Sequence, residues 1–150
     1  MKLVDFITPD EVALQLRAAD KDAALRVIVG LLDLQNESED ILFKLLKKRE
    51  NLGSTGIGKG VAIPHCRSLV VERLRVAYGR KPAGIGFDAV DAKPVHHLFL
   101  IVAPPVEISN QYLPVLGKIA QLCKNPRNLQ RLDEVTSAEQ FFDVLERAER

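Results

Sequence analysis

The residues with the clearest chemical potential lie in one stretch, GSTGIGKGVAIPHCRS, at positions 53–68. Its first half matches the G-x-x-x-x-G-K spacing of a nucleotide-binding loop, whose backbone N–H groups and lysine bind phosphates. Its second half places His65 after Pro64 and ahead of a polar segment that contains Arg67. An imidazole is partly neutral and nucleophilic near neutral pH. The stretch therefore offers two candidates for function, a nucleotide-binding loop and a nucleophilic histidine.

The nucleotide-loop interpretation fails on the residues around the lysine. Such a loop needs a serine or threonine after the lysine as a magnesium ligand, and it joins a strand to a helix. Here Gly60 follows Lys59, and the predicted order is helix, loop, strand. The glycines still permit a close backbone approach and an anion-binding turn. Ser54 and Thr55 add hydroxyl donors to that turn, and Arg49 lies just upstream.

The other histidines and the cysteines support weaker hypotheses. His96 and His97 are consecutive on a predicted strand, so their side chains point to opposite faces and cannot share a metal ion. We expect both to be structural, and the His and Cys spacings do not match a zinc site. Cys66 beside His65 permits a thiol nucleophile, although neighbouring strand residues point apart. On the residues alone, a purely structural His65 also stays open.

Composition restricts the class of protein. The 150 residues are 47% apolar and 27% charged, with a formal net charge of +1. That balance argues against a nucleic-acid binder, since phosphate-backbone binding usually requires a strong basic excess. No apolar run reaches the roughly 18 residues of a membrane span, and the first residues lack a signal-peptide pattern. With two isolated cysteines, we expect a cytoplasmic single domain over residues 1–150 that needs no metal or cofactor.

Hydrophobic periodicity and capping residues predict the elements that position this stretch. Helices are expected at about 21–34, from Ser38 to Arg49, from Ser109 to Asn125, at 126–132 and at 137–149. Strands are expected at about 12–17, 61–63, 74–79 and 95–103. The last of these, VHHLFLIVA, is apolar enough for the centre of a sheet. This order predicts an α/β fold with a small, partly parallel sheet and helices on both faces.

The run LGSTGIGKGVAIPH strongly resembles the active-site signature of phosphotransferase-system (PTS) IIA domains of the fructose/mannitol type. It is most similar to their nitrogen-regulatory branch. DFITPDEVALQL, KDAAL and HHLFLIVAPP also resemble family segments and occur in the family's order. The resemblance implies a three-layer α/β/α sandwich with a small mixed sheet. It also implies that His65 accepts a phosphoryl group from a phosphohistidine on an HPr-like carrier, with Arg49 nearby and Ser54 and Thr55 lining the site.

At one position the chain departs from the family pattern. A second active-site histidine is expected in the segment NQYLPVL at 110–116, and Tyr112 stands in its place. A tyrosine hydroxyl donates a hydrogen bond to a phosphoryl oxygen, but it does not carry an imidazole's charge near neutral pH. Tyr112 as a simple packing residue at a helix start is the structural alternative.

Three functions remain open at this stage. The resemblance implies a phosphocarrier that signals its phosphorylation state to partner proteins such as transporters or kinases. The tyrosine favours a protein-interaction regulator with impaired phosphotransfer. A fructose- or mannitol-specific IIA subunit is the third possibility. No transport, HPr-like or second IIA segment is evident in the sequence, which favours regulation over sugar uptake.

Overall fold

Five α-helices and six strands make up the part of the chain that the computed structural model describes, residues 2–149. Two 3-10 turns, Leu3–Phe6 and Pro9–Glu11, precede them. The helices are α1 (Lys21–Gly30), α2 (Asn36–Leu52), α3 (Tyr112–Lys124), α4 (Pro126–Glu134) and α5 (Ala138–Ala148). The strands are β1 (Val12–Ala13), β2 (Gly56–Gly58), β3 (Val61–Ala62), β4 (His65–Arg67), β5 (Arg75–Ile85) and β6 (Val95–Ala103).

The helices follow the predicted order, but two of them begin elsewhere than expected. α1 starts at Lys21, close to the predicted boundary, and the carboxylate of the preceding Asp20 accepts a backbone N–H in its first turn. α2 begins two residues before Ser38, and no side chain caps it. α3 begins at Tyr112 rather than after Ser109, because the Glu107 carboxylate accepts the Tyr112 N–H at 2.9 Å. The helix starts predicted at Ser38 and Ser109 were therefore wrong.

The strands differ more from the sequence-based expectation. The strand predicted at 12–17 shortens to β1, which pairs with only two residues of β5. The strand predicted at 74–79 extends to Ile85 as β5, pairing with β6 for most of its length. β4 was not predicted, and it contains His65. The candidate histidine is therefore part of the sheet rather than of the loop after it.

One mixed sheet joins these strands in the order β1-β5-β6-β3-β2, with β4 also paired to β6. β5 runs antiparallel to β6, whereas β3 and β4 run parallel to it. β3 and β4 thus occupy successive lengths of the same β6 edge. β6 is buried at all but one position, as its apolar run predicted for a central strand.

Helices cover both faces of the sheet, which confirms the expected three-layer α/β/α architecture. α1 and α2 pack on one face with Ala62, Leu98 and Leu100, and α3 and α5 pack on the other with Ile63, Phe99 and Ile101. On the second face Phe141 stacks on Tyr78 with ring centres 4.5 Å apart. Side-chain alternation along each strand therefore decides which helical layer a residue meets.

His96 and His97 lie on opposite faces of β6, as alternation predicts, and both are held by hydrogen bonds. His97 is 2% exposed; its Nδ1 accepts from the Tyr78 hydroxyl at 2.7 Å, and its Nε2 lies 2.9 Å from an Asp133 carboxylate oxygen. Burial lowers the pKa of His97, so the ring is neutral at pH 7. His96 donates from Nδ1 to the carbonyl of Pro82 at 3.1 Å. Both histidines bridge elements of the fold.

Gly56 in β2 shows why the motif needs glycine before the candidate histidine. A Cβ atom at this position would lie 2.7 Å from the Cβ of Ala89 and 2.9 Å from its Cα. Real Cβ atoms do not come that close to neighbouring atoms, so the backbones of β2 and the 89–90 segment can approach only without a side chain here. The Val90 N–H donates to the Gly56 carbonyl at 3.2 Å across this contact.

We expect Gly56→Ala to lower the free energy of unfolding by about 1–3 kcal/mol, because the clash involves backbone that cannot move freely. Gly117→Ala is the matched control: it lies in α3, and beyond the helix's own backbone and the adjoining residues no atom lies within 4 Å of the added Cβ. That control should raise stability by about 0.5–1 kcal/mol through helix propensity. Urea unfolding followed by circular dichroism measures both, and equal stability of Gly56→Ala and the unmodified protein would contradict the close-approach argument.

Candidate functional site

His65 lies on the sheet face covered by α3. Parallel pairing sets His65 opposite Ile101 of β6, and Ile101 belongs to the core shared with α3 and α5. The Tyr112 ring at the start of α3 is 6.1 Å from the His65 ring, centre to centre, and inclined by 52°. The imidazole is half-buried. The structure thus brings together two of the residues expected in the site.

A short local hydrogen bond selects the tautomer of the neutral His65 ring. Nδ1 lies 2.6 Å from the backbone carbonyl oxygen of Ile63. A carbonyl oxygen only accepts, so Nδ1 carries the hydrogen and Nε2 keeps an unprotonated lone pair in the neutral ring. No residue between 2 and 149 makes a hydrogen bond to Nε2. The intervening Pro64 is anchored too, because its carbonyl accepts the Ile101 N–H at 3.0 Å.

Tyr112 is a protonated hydrogen-bond donor beside this ring. Burial raises the pKa of its hydroxyl to about 12, although the charges of Arg67 and Arg49 act in the opposite direction. The hydroxyl is therefore un-ionised throughout the neutral range. Of these two arginines, Arg67 contacts the Tyr112 ring directly, with its central guanidinium carbon 4.4 Å from the ring centre.

Arg49 is held at the C-terminal end of α2. Its Nη1 donates to the carbonyl of Gly53 at 2.7 Å, which fixes the guanidinium over the turn that ends the helix. The Arg49 charge acts to lower the pKa of Tyr112, whose ring contacts the His65 ring. That Arg49 belongs to a functional site stays a prediction.

Ser54 and Thr55 shape the loop between Arg49 and the sheet. The Ser54 hydroxyl donates to the Phe87 carbonyl at 2.5 Å and accepts the Gly56 N–H at 3.0 Å. Thr55 is only 4% exposed, and both its N–H and its hydroxyl donate to the Glu50 carboxylate. Their hydroxyl hydrogens are thus engaged within the protein. That these two residues line a phosphate site stays a prediction.

Glu50 was not singled out from the sequence, yet it organises this loop. Its carboxylate is buried, accepts from Thr55, and forms a 2.9 Å ion pair with Lys21 at the start of α1. Lys21 in turn lies 4.7 Å from the centre of the Phe87 ring. The five-residue spacing of Glu50 and Thr55 around Gly53 was a local signal for their contact. The contact with Lys21, 29 positions earlier, has no signal in the sequence pattern.

Cys66 faces away from His65, as alternation on a strand predicts. It packs against the core beneath α1 and α2, on the opposite side of the sheet from Tyr112. Burial raises the pKa of its thiol to about 12, so the thiolate needed for nucleophilic attack is scarce at neutral pH. The geometry therefore argues against a cysteine–histidine pair.

Three further properties limit the chemistry of the described chain. No three His, Cys, Asp or Glu side chains within residues 2–149 are placed to hold a metal ion together. Over the same range, none of the helices has the length and apolar character required to cross a bilayer. Lys59, the lysine of the glycine-rich motif, donates from Nζ to the carbonyl of Lys124 at the end of α3. That lysine therefore caps a helix.

Two comparisons at full length agree on the relationship of this chain to known proteins. The Nitrogen regulatory protein of Bradyrhizobium diazoefficiens is 30% identical over 146 residues, covering 97% of this chain and 95% of that protein. The crystal structure of the nitrogen regulatory protein IIA-Ntr from Neisseria meningitidis is 33% identical with a TM-score of 0.85. It covers 94% of this chain and 97% of that one.

A third relative is much longer than this chain. The fructose-specific EIIABC component of the PTS from Bacillus subtilis is 27% identical over 147 residues, which cover 97% of this chain but only 23% of that protein. Residues 5–148 match the family described as "Phosphoenolpyruvate-dependent sugar phosphotransferase system, EIIA 2". That match spans both helical layers and the sheet that joins them, with His65 and Tyr112 inside it. The chain belongs to this PTS EIIA family.

Proposed function

We propose that this protein is a regulatory phosphocarrier, which accepts a phosphoryl group on Nε2 of His65 and signals its phosphorylation state through protein contacts. The observation that carries the proposal is the hydrogen bond between Nδ1 and the Ile63 carbonyl. It orients the ring and directs the free lone pair of Nε2 away from the backbone. Nucleophilic catalysis requires such an oriented, unprotonated nitrogen.

In the proposed step, Nε2 displaces the donor at phosphorus. A new N–P bond forms on His65 while the N–P bond of a phosphohistidine on an HPr-like carrier breaks, and its electron pair returns to the donor nitrogen. A donor ring that is protonated on its other nitrogen leaves as neutral imidazole. His65 retains its Nδ1 hydrogen, and the Ile63 carbonyl stabilises the positive charge that develops there. Positioning and charge stabilisation supply most of the catalysis in such transfers.

Arg49 and Tyr112 take complementary roles in this proposal. The Arg49 guanidinium offsets the negative charge of the transferring group from the α2 side. The Tyr112 hydroxyl, which stays protonated because its pKa is about 12, donates to a phosphoryl oxygen. Ser54 and Thr55 complete the site through the loop that they hold in place.

The surface around the site favours a protein as donor. Clusters of exposed apolar side chains mark protein contacts on a monomer. Several large exposed apolar side chains lie close in sequence to the site residues, among them Leu52, Ile57, Leu69, Ile108 and Leu113. Phosphorylation would add about two negative charges to a chain of formal charge +1, enough to change which partner this surface binds. Transporters or kinases are the kind of target that such a signal would regulate.

We expect the protein to become labelled when it is incubated with radioactive phosphoenolpyruvate, Enzyme I and an HPr-type carrier. The label should be acid-labile and base-stable, as phosphohistidine is, and absent from His65→Ala. His96→Ala is the matched control and should label normally, because His96 bonds to carbonyls on β5 away from the site. Label that persists in His65→Ala would reject His65 as acceptor. An unlabelled parent protein would instead favour the interaction regulator that Tyr112 suggests.

Two substitutions of Tyr112 test separately how its hydroxyl hydrogen bond and its lack of positive charge affect the rate of phosphoryl transfer. Tyr112→Phe should slow phosphoryl transfer about 10- to 100-fold, the worth of one hydrogen bond to a charged group. Tyr112→His should speed transfer, because an imidazolium adds the positive charge that tyrosine lacks. Rapid-quench kinetics with a phosphorylated HPr-type donor measure both rates. Unchanged kinetics in both variants would show that Tyr112 only packs at the start of α3.

A further inference from the structure

Arg67 shares the sheet face of His65. The two residues are separated by one position on β4, and side chains two positions apart on a strand point the same way about 7 Å apart. Cys66 between them packs into the opposite core. Arg67 therefore reaches the surface on the α3 side, where the His65 ring and Tyr112 lie.

Three groups hold the Arg67 guanidinium in this position. Its central carbon lies 4.4 Å from the centre of the Tyr112 ring, within the range of a cation–π contact. Nη1 donates to the carbonyl of Pro104 at 3.0 Å and lies 3.9 Å from a Glu107 carboxylate oxygen. The same tyrosine ring thus contacts both the candidate nucleophile and this arginine.

The Arg67 guanidinium has N–H groups that donate to no described residue. It carries five N–H bonds in a planar fork, and one hydrogen bond to a described residue uses only one of them. The side chain is 34% exposed, so the remaining donors are accessible from solvent. The Glu107 oxygen lies 3.9 Å from Nη1, too far for a hydrogen bond, so it takes up none of the remaining donors.

We propose that Arg67 is a second phosphoryl-binding residue, whose guanidinium is carried on the Tyr112 ring and donates to the oxygens of the phosphoryl group on His65. This inference rests on the function proposed above. Arg49 would meet the group from the α2 layer and Arg67 from the α3 layer, so that two fixed cations flank the transferring oxygens. A planar guanidinium matches two phosphoryl oxygens at once, which a lysine ammonium does not.

The first test compares transfer rates of Arg67 variants under single-turnover conditions. Arg67→Gln removes the charge, and we expect it to accept the phosphoryl group at least 10-fold more slowly. Arg67→Lys keeps the charge without the fork and should be intermediate. The matched control is Arg17→Gln, which removes the same charge from an exposed position. The N–H of its neighbour Leu16 donates to the carbonyl of Arg80 in β5. Arg80 is five residues, or about 17 Å, from Arg75, which lies at the end of β5 near His65.

The second test detects contact with the phosphoryl group itself. A guanidinium beside the group favours its dianion, so the phosphoryl pKa, followed by phosphorus NMR on the phosphorylated protein, should be higher in Arg67→Gln than in the parent. Arg17→Gln should leave it unchanged. Added guanidinium ion should partly restore transfer to Arg67→Ala. A residue that only supports Tyr112 would not move the phosphoryl pKa.

The outcomes separate this inference from the proposed function. If the parent labels on His65 and Arg67→Gln matches it in rate and in phosphoryl pKa, the role of Arg67 is overturned and the phosphocarrier stands. A slower rate with an unchanged phosphoryl pKa also overturns the contact, leaving Arg67 as a support for Tyr112. If the parent is not labelled, the proposed function fails and the inference falls with it. Should Arg67→Gln unfold, Arg67→Lys and the guanidinium rescue decide the question.

Discussion

The pairing of β3 and β4 along one edge of β6 is the constraint on which the site depends. Val61 and Ile63 enter the core beneath α3, while Ala62 enters the core beneath α2, so the register is fixed by burial on both faces. A slip of one residue would send every side chain to the other face. His65 would then point toward α2 and Cys66 toward Tyr112. The direction of the nucleophile is therefore decided by the apolar residues that precede it.

The glycine-rich half of the motif serves this arrangement through close contact. Gly56 allows β2 to lie against the segment at Ala89. Lys59 has a positive φ of 58°, and its backbone N–H donates to the Asp91 carboxylate. Its ammonium group donates to the Lys124 carbonyl at the end of α3. The buried Glu50 then ties the loop back to α2 through Thr55. A stretch whose spacing resembles a nucleotide loop thus holds the edge strand in place. Its lysine is committed to the protein.

Much of this could be predicted from sequence, and most of what could not has a common physical origin. Alternation and helical periodicity predicted helices on both faces of the sheet, and the motif singled out His65 as the candidate nucleophile, because both are local patterns. The contact of Arg67 with Tyr112 joins residues 45 positions apart, and that of Lys21 with Glu50 joins residues 29 apart. Periodicity shows which face of an element is buried without showing which residue lies opposite. The helix start predicted at Ser109 was wrong for a local reason, since the carboxylate of Glu107, two positions earlier, accepts the Tyr112 N–H.

The chemistry of the site depends on which residues supply positive charge in place of the second histidine, which is Tyr112 here. A second histidine would change its charge between pH 5 and 8, so its support for a phosphoryl group would vary over that range. Tyr112, with a pKa of about 12, and an arginine, which stays protonated, do not titrate there. In the proposed mechanism the hydroxyl supplies the hydrogen bond and Arg67 supplies the charge, two duties that one imidazolium would combine. In that mechanism neither Tyr112 nor Arg67 would add a pH dependence to the stability of the phosphorylated state between pH 5 and 8.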